Sequence, residues 1–267
     1  MAEPTSRRAN LLLRFAPSLS ALRRVPVLGD FLSWTSRKLV PSDSLIWVQI
    51  QHGPSEGLWI RLNPRTGRNV QKGIGEPQVQ KALIDHLRPG MTFYDVGANI
   101  GFFSLMAARL VGPQGRVVSF EADPEIAVRL RENLERNQFT HASVEQKAVW
   151  SEPATVAFER VDPNASPDRG LGHVSTDEST PGTIAVEAVS LDQYTASHRS
   201  PDFLKCDVEG AEVAVFQGAT RLFSDKRAIF LVEMHSPENQ RTLRDKFAGH
   251  GYRCQNLDDN HVLALPQ

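Results

Sequence analysis

Cysteine is scarce in this sequence, with two in 267 residues. Cys206 and Cys254 form no C-x-x-C pair, so neither a disulfide framework nor a cysteine zinc site is encoded. Cys206, inside an apolar run, reads as a core residue, which fits a reducing compartment. No stretch reaches the roughly 18 apolar residues that a spanning helix needs. Residues 11–13 are cut short by Arg14 with no small-residue cleavage site behind them, so no secretory leader is expected. The mature protein is read as the whole chain, with a cytoplasmic location. A charge excess of one sign is also missing: 30 Lys+Arg stand against 31 Asp+Glu, a formal net charge of -1, which gives no global signature for nucleic acid. Repeats and low-complexity tracts are absent. What is there, 40% hydrophobic and 23% charged residues with 18 Gly and 17 Pro, is the composition of a folded chain. Its length suits one large α/β domain with an appendage, or two small domains.

The one asymmetry of charge lies at the start. Residues 1–40 hold Arg7, Arg8, Arg14, Arg23, Arg24, Arg37 and Lys38 against Glu3 and Asp30. This reads as a basic helical arm that docks Leu12, Phe15, Leu19 and Leu22 on the body, or as a contact for an anionic surface or a second subunit.

Residues 41–90 read as a β-hairpin over 45–62, turning at 53–57, then a helix marked by Val79, Leu83, Ile84 and Leu87 and closed by Pro89-Gly90. Residues 91–267 form the main domain. Strands 92–96, 116–121 and 143–149 alternate with helices 102–111 and 124–137, the pattern of parallel strands joined by right-handed crossovers. Asp123 caps the second helix and Pro124 opens it. Residues 151–189 read as an inserted hairpin or flap, polar and Pro/Gly/Ser-rich over 151–182, where acceptor choice would be decided. Alternation resumes with strand 202–207, helix 211–223, strand 228–234, helix 238–249 and short strands 252–256 and 262–265.

The chemistry concentrates in three places. Asp95-Val96-Gly97-Ala98-Asn99-Ile100-Gly101 carries a strand through a glycine-marked turn into a helix, and glycine lets backbone turn tightly and a ligand approach closely. Glu121 ends the next strand, 20 residues beyond Gly101, where nucleoside-binding α/β folds place the acid that receives ribose hydroxyls. The stretch from Asp95 to Ser104 has no Lys or Arg and departs from G-x-G-x-x-G. Such a site suits an adenosine derivative with cationic groups and no phosphate, such as S-adenosylmethionine, although backbone N–H groups can hold pyrophosphate unaided. The second place is Lys205-Cys206-Asp207-Val208-Glu209-Gly210, two carboxylates at the strand edge where open α/β sheets bind ligands. The third is Glu233-Met234-His235 at the end of the next strand, with His235 a candidate general base. Asp207, Glu209, Glu233 and His235 together could also ligate a divalent cation.

At MTFYDVGANIGFFSLMAA, VVSFEADP, the Leu191-Asp192 pair, DFLKCDVEGAE and VEMH, the chain resembles the FkbM family of S-adenosylmethionine-dependent methyltransferases, over about residues 73–252. The resemblance implies the class I fold, a seven-stranded, mostly parallel Rossmann-like sheet with helices on both faces. It further implies that Asp95, Gly97, Asn99 and Gly101 hold the methionine part of the cofactor, Glu121 its ribose, and that Asp207 and Glu209 floor the catalytic pocket. O-methylation of a hydroxyl on a sugar, glycoside or other natural product is the expected activity. The DVEG strand end is also similar to the acidic strand end of magnesium-dependent catechol-type O-methyltransferases, which keeps a divalent cation in view. Two rivals stand beside this reading: a methyltransferase-like binding module without turnover and a dinucleotide-dependent oxidoreductase. A nucleic-acid acceptor would rest on the basic arm alone, with no aromatic stacking stripe beside it.

Overall fold

Alternating side chains at 46–49 and 59–62 give the expected hairpin: β1 (Ile46–Gln49) and β2 (Trp59–Leu62) pair antiparallel, with Gly53 and Gly57 at positive φ between them. A computed structural model describes residues 45–64, 66–160, 172–175 and 182–267. The basic arm over 1–40 and much of the flap lie outside the described residues. Two helices follow the hairpin, α1 (Arg68–Lys72), which the pattern did not announce, and α2 (Pro77–His86).

The alternating half begins with β3 (Thr92–Val96), α3 (Phe102–Val111), β4 (Arg116–Phe120), α4 (Pro124–Arg136) and β5 (Ala142–Glu145). Asp123 caps α4 as expected, accepting the amides of Glu125 and Ile126 at 2.8 and 3.2 Å, with Pro124 in the first turn. The expected strand 143–149 is broken in two. A tight turn in which the Lys147 N–H donates to the Glu145 carbonyl leads out of the main sheet into β6 (Ala148–Val149). β6 joins β7 (Ala154–Glu159), β8 (His173–Ser175) and β9 (Thr183–Val189) in a four-stranded sheet of order β6-β9-β7-β8, in which β7 and β9 are antiparallel.

The chain continues through α5 (Leu191–Thr195), β10 (Phe203–Cys206), α6 (Glu212–Gln217), α7 (Thr220–Asp225), β11 (Ile229–Glu233), α8 (Pro237–Gly249), β12 (Tyr252–Asn256) and β13 (His261–Pro266). One helix was expected over 211–223, and two are found. Gly218 separates them, packed so closely that a Cβ there would meet the Trp150 and Ser151 carbonyls at 2.6 and 2.7 Å.

The main sheet has seven strands in the order β12-β13-β11-β10-β3-β4-β5, parallel throughout except for β13, which runs antiparallel to both neighbours. Parallel strands covered on both faces need a core on each side. One core joins the hairpin and α2 to α3 and α4, with Ile60, Leu83, Leu105 and Leu130 fully buried. The N-terminal hairpin and the main domain therefore share one core. Asn133 and Asn137 add to this by accepting the amides of Arg61 and Trp59 at 2.7 and 2.8 Å. The opposite core is aromatic, built on Phe216, Phe223, Phe230 and Phe247, and includes Cys206. Among the described residues no helix is long and apolar enough to cross a membrane.

Candidate active site

β3 is the switch point of the sheet, with β4 on one side and β10 on the other, and a cleft of about 240 Å³ opens at the carboxyl ends of these strands. Its lining brings together Gly97, Asn99, Glu121, Asp207 and Glu209, all singled out from sequence. Asp95, Gly101 and His235 are not among the lining residues. Among the lining side chains that the sequence did not mark as site residues are Glu76, ahead of α2; Lys147, in the turn before β6; and Phe158 and His173, on the inserted sheet. Glu76 carried a local signal, since it precedes the first-turn proline of a helix. The others depend on contacts far apart in the chain.

The glycine turn is held from two sides. Gly97 has φ 76°, and the amides of Gly97 and Ala98 both donate to the Phe120 carbonyl. Glu121, almost wholly buried, accepts the Asn99 amide at 2.8 Å and the Asp123 amide at 2.9 Å, so its carboxylate ties the turn to the end of β4. Burial pushes its pKa up to about 7, against the pull of those two amides, and the carboxylates of Asp123 and Asp95 push it further. The folded protein therefore holds the Glu121 proton above the pH at which the unfolded chain releases it. The stability that this one group contributes is greatest below the ordinary value near 4.5, falls as pH rises, and is gone above about 7. Glu121→Gln abolishes this decline. Urea unfolding at pH 4.5 and 7.5 is expected to show the stability difference between variant and wild type moving in the variant's favour by on the order of 3 kcal/mol. An unchanged difference contradicts the buried, raised carboxyl.

Asp95 lies under the turn, 1% exposed, where it accepts the Ser104 hydroxyl at 2.5 Å; Ser119 in turn donates to Ser104 at 2.8 Å. Burial raises its pKa. Its nearest cation is Lys205, itself 2% exposed, whose Nζ stands 3.9 Å from Asp95 and 3.0 Å from Asp207. The three charges form one buried set. Burial opposes the ammonium, but Asp207 and Asp95 outweigh it and raise its pKa; in return Lys205 more than offsets the burial of Asp207, which is lowered. Lys205→Met leaves two carboxylates without their cation and is expected to cost about 3–5 kcal/mol in urea unfolding at neutral pH. A cost below 1 kcal/mol would show that the pair is not coupled to folding.

His235 departs from the free base that its position suggested. Its Nδ1 meets Glu212 at 2.7 Å and its Nε2 meets Glu209 at 3.2 Å, with Asp207 and Glu233 at 3.8 and 3.9 Å. Hydrogen bonds to Glu209 and Glu212 lift its pKa to about 10 against the opposing effect of burial. At neutral pH it is an imidazolium with both nitrogens engaged, so it holds Glu209 in place and has no lone pair for a substrate proton. Glu212 is fully buried and fixed further by the Gly210 amide and Asn239. Glu209, on the cleft side, takes φ 51°, strain of the kind that clusters at binding sites.

A doubly wound sheet with one antiparallel strand next to its edge, and a glycine turn opposite an acidic strand end, is the class I methyltransferase fold. The sequence profile of the methyltransferase FkbM domain matches residues 95–254, and the chain belongs to the FkbM methyltransferase family. Among curated proteins it is similar to the hexuronic acid methyltransferase AglP of Haloferax volcanii, 27% identical over 164 residues that make up 61% of this chain and 63% of that protein. It is also similar to a protein-L-isoaspartate O-methyltransferase of Triticum aestivum, 46% identical over 55 residues, or 21% of this chain and 24% of that one. The matches thus span less than two thirds of these relatives' lengths. Among solved structures, methyltransferase FkbM of Methylobacillus flagellatus aligns with a TM-score of 0.47 and 16% identity over 75% of this chain and 58% of that one.

Proposed function

We propose that the protein is an S-adenosylmethionine-dependent O-methyltransferase acting on a hydroxyl of a sugar, glycoside or other natural product. The observation that carries this is the lining of the cleft: Glu121, Asp207 and Glu209 face a bare turn at Gly97, and among the described residues no arginine lines it. Lys147, on the opposite wall, is already paired with Glu187 at 2.5 Å. Such a donor set fits a cationic, phosphate-free adenosine derivative. Glu121 would receive the ribose hydroxyls, and the Gly97 and Asn99 backbone would lie along the methionine part.

Bound there, S-adenosylmethionine supplies a methyl group already activated by its positive sulfur. The chain's task is then to align the acceptor oxygen and exclude water, effects worth up to roughly 7–11 kcal/mol in well-oriented systems. With His235 cationic, the acceptor proton passes to a rim carboxylate such as Glu209, and from there to solvent. The sugar class is supported by the name of the Haloferax relative. Incubation with labelled S-adenosylmethionine and a panel of glycosides, lipids, polyketides and RNA tests the reading. Label on a glycoside or other hydroxyl compound supports it. Cofactor binding with no transfer to any member leaves a binding module, and label on RNA alone refutes the acceptor class.

A further inference from the structure

A second histidine faces the cleft wall, and its surroundings differ from those of His235. His261 opens β13 and stands opposite Glu233 in the antiparallel β11–β13 pair. It is 6% exposed. Asp258 approaches its Nδ1 with both oxygens, at 2.9 and 3.0 Å, and is itself oriented by the amides of Asn260 and His261 at 3.0 and 2.8 Å. That arrangement places a hydrogen on Nδ1 and turns Nε2 toward the cleft side. Nε2 is buried and has no hydrogen-bond partner among the described residues. Glu76 and Glu233 flank it at nearly equal distances, 3.4 and 3.5 Å, beyond good hydrogen-bond range. Both glutamates line the cleft, and Glu76 is held there at φ 44°.

From this geometry we infer that Glu76, Glu233 and His261 form a binding site for a first-row divalent cation of the zinc type. Nitrogen and oxygen ligands about 2.0–2.1 Å from a tetrahedral zinc lie about 3.3–3.4 Å from one another, the spacing found around Nε2. The three ligand atoms all lie within 4.8 Å of one another. An imidazole that gives its second nitrogen to a carboxylate is the usual support of a metal-bound histidine, and Asp258 occupies that place. One imidazole with two carboxylates suits zinc, cobalt or manganese better than calcium or magnesium. The neighbouring set Asp207, Glu233 and His235 also lies within 4.8 Å, but His235 Nε2 is already committed to Glu209. Three protein ligands leave a fourth position open, as in zinc sites that bind a further group.

The inference does not rest on the methyl donor, and its test uses none. Tag-free, full-length protein is stripped with a chelator and titrated with Zn²⁺ by calorimetry and with Co²⁺ by visible absorption, alongside Glu76→Gln, His261→Asn and His235→Asn. One ion per chain with the strong d–d bands of four-coordinate cobalt is expected. Glu76→Gln and His261→Asn should each weaken Zn²⁺ binding by about 100-fold or more, a first ligand mattering at least as much as its support; His235→Asn should not. Should His261→Asn fail to fold, Glu76→Gln, at an exposed position, decides alone. No saturable binding, binding unchanged in Glu76→Gln, or an equal loss in His235→Asn overturns the site and leaves a protonated His261 bridging two glutamates. S-adenosylhomocysteine binding, measured separately on the same samples, shows whether the donor reading fails with it or stands.

Discussion

Gly97→Ala is expected to cost more than 4 kcal/mol in urea unfolding, or to yield no soluble protein. A Cβ at this position would lie 1.7 Å from the Asp207 carbonyl oxygen and 2.8 Å from its carbon, and φ is 76°. The atom it meets is backbone, and that backbone is fixed, because the Asp207 amide donates to the Val96 carbonyl at 3.0 Å. Relief therefore requires β3 and β10 to separate at their carboxyl ends, where the cleft lies. Costs of this size come from a short list of causes, and a forced backbone shift at a strained φ is one. Gly90→Ala isolates the conformational part: φ is 85°, but nothing lies within 4 Å of the added carbon. That variant should lose only about 1–2 kcal/mol. Equal costs at the two positions would show that close approach of the strand ends is not what the glycine serves.

Glu121→Ala is expected to weaken S-adenosylhomocysteine binding by on the order of 100-fold or more, as loss of charge-assisted hydrogen bonds worth about 1.5–3 kcal/mol each implies. The same change removes the acceptor for the Asn99 and Asp123 amides, so a stability loss of about 1–3 kcal/mol accompanies it. Glu121→Gln keeps one acceptor oxygen and should recover part of the stability while remaining poor in affinity. Calorimetric titration beside urea unfolding separates the two effects. Unchanged affinity in the alanine variant would remove Glu121 from the binding site, whatever its effect on folding.

The main sheet was legible because its strands are buried on both faces and so appear as continuous apolar runs, Ile229–Glu233 being the clearest. The break between β5 and β6 was not, since Gln146-Lys147 carries neither glycine nor proline to announce a turn. Gly218 stood in plain view, but that it divides a helix follows from its contact with Trp150 and Ser151, far off in the chain. Within the site, residue type and strand-end position were enough to bring Gly97, Asn99, Glu121, Asp207 and Glu209 to one cleft. They could not say that Asp95 faces inward to Ser104 and Lys205, because a strand end exposes or buries a side chain according to what covers it. His235 reads as a base until four carboxylates, three of them from residues 207–212 and the fourth Glu233, surround it. Glu76 and His261 gain their meaning only when α2 and β13 meet at the cleft wall.

The measurement that bears most directly on the account is a crystal structure of the protein grown with S-adenosylhomocysteine. The account predicts the ribose on Glu121 and the amino-acid portion along Gly97 and Asn99, reaching toward Asp207. Density for that ligand anywhere away from the carboxyl ends of β3 and β4 would contradict it.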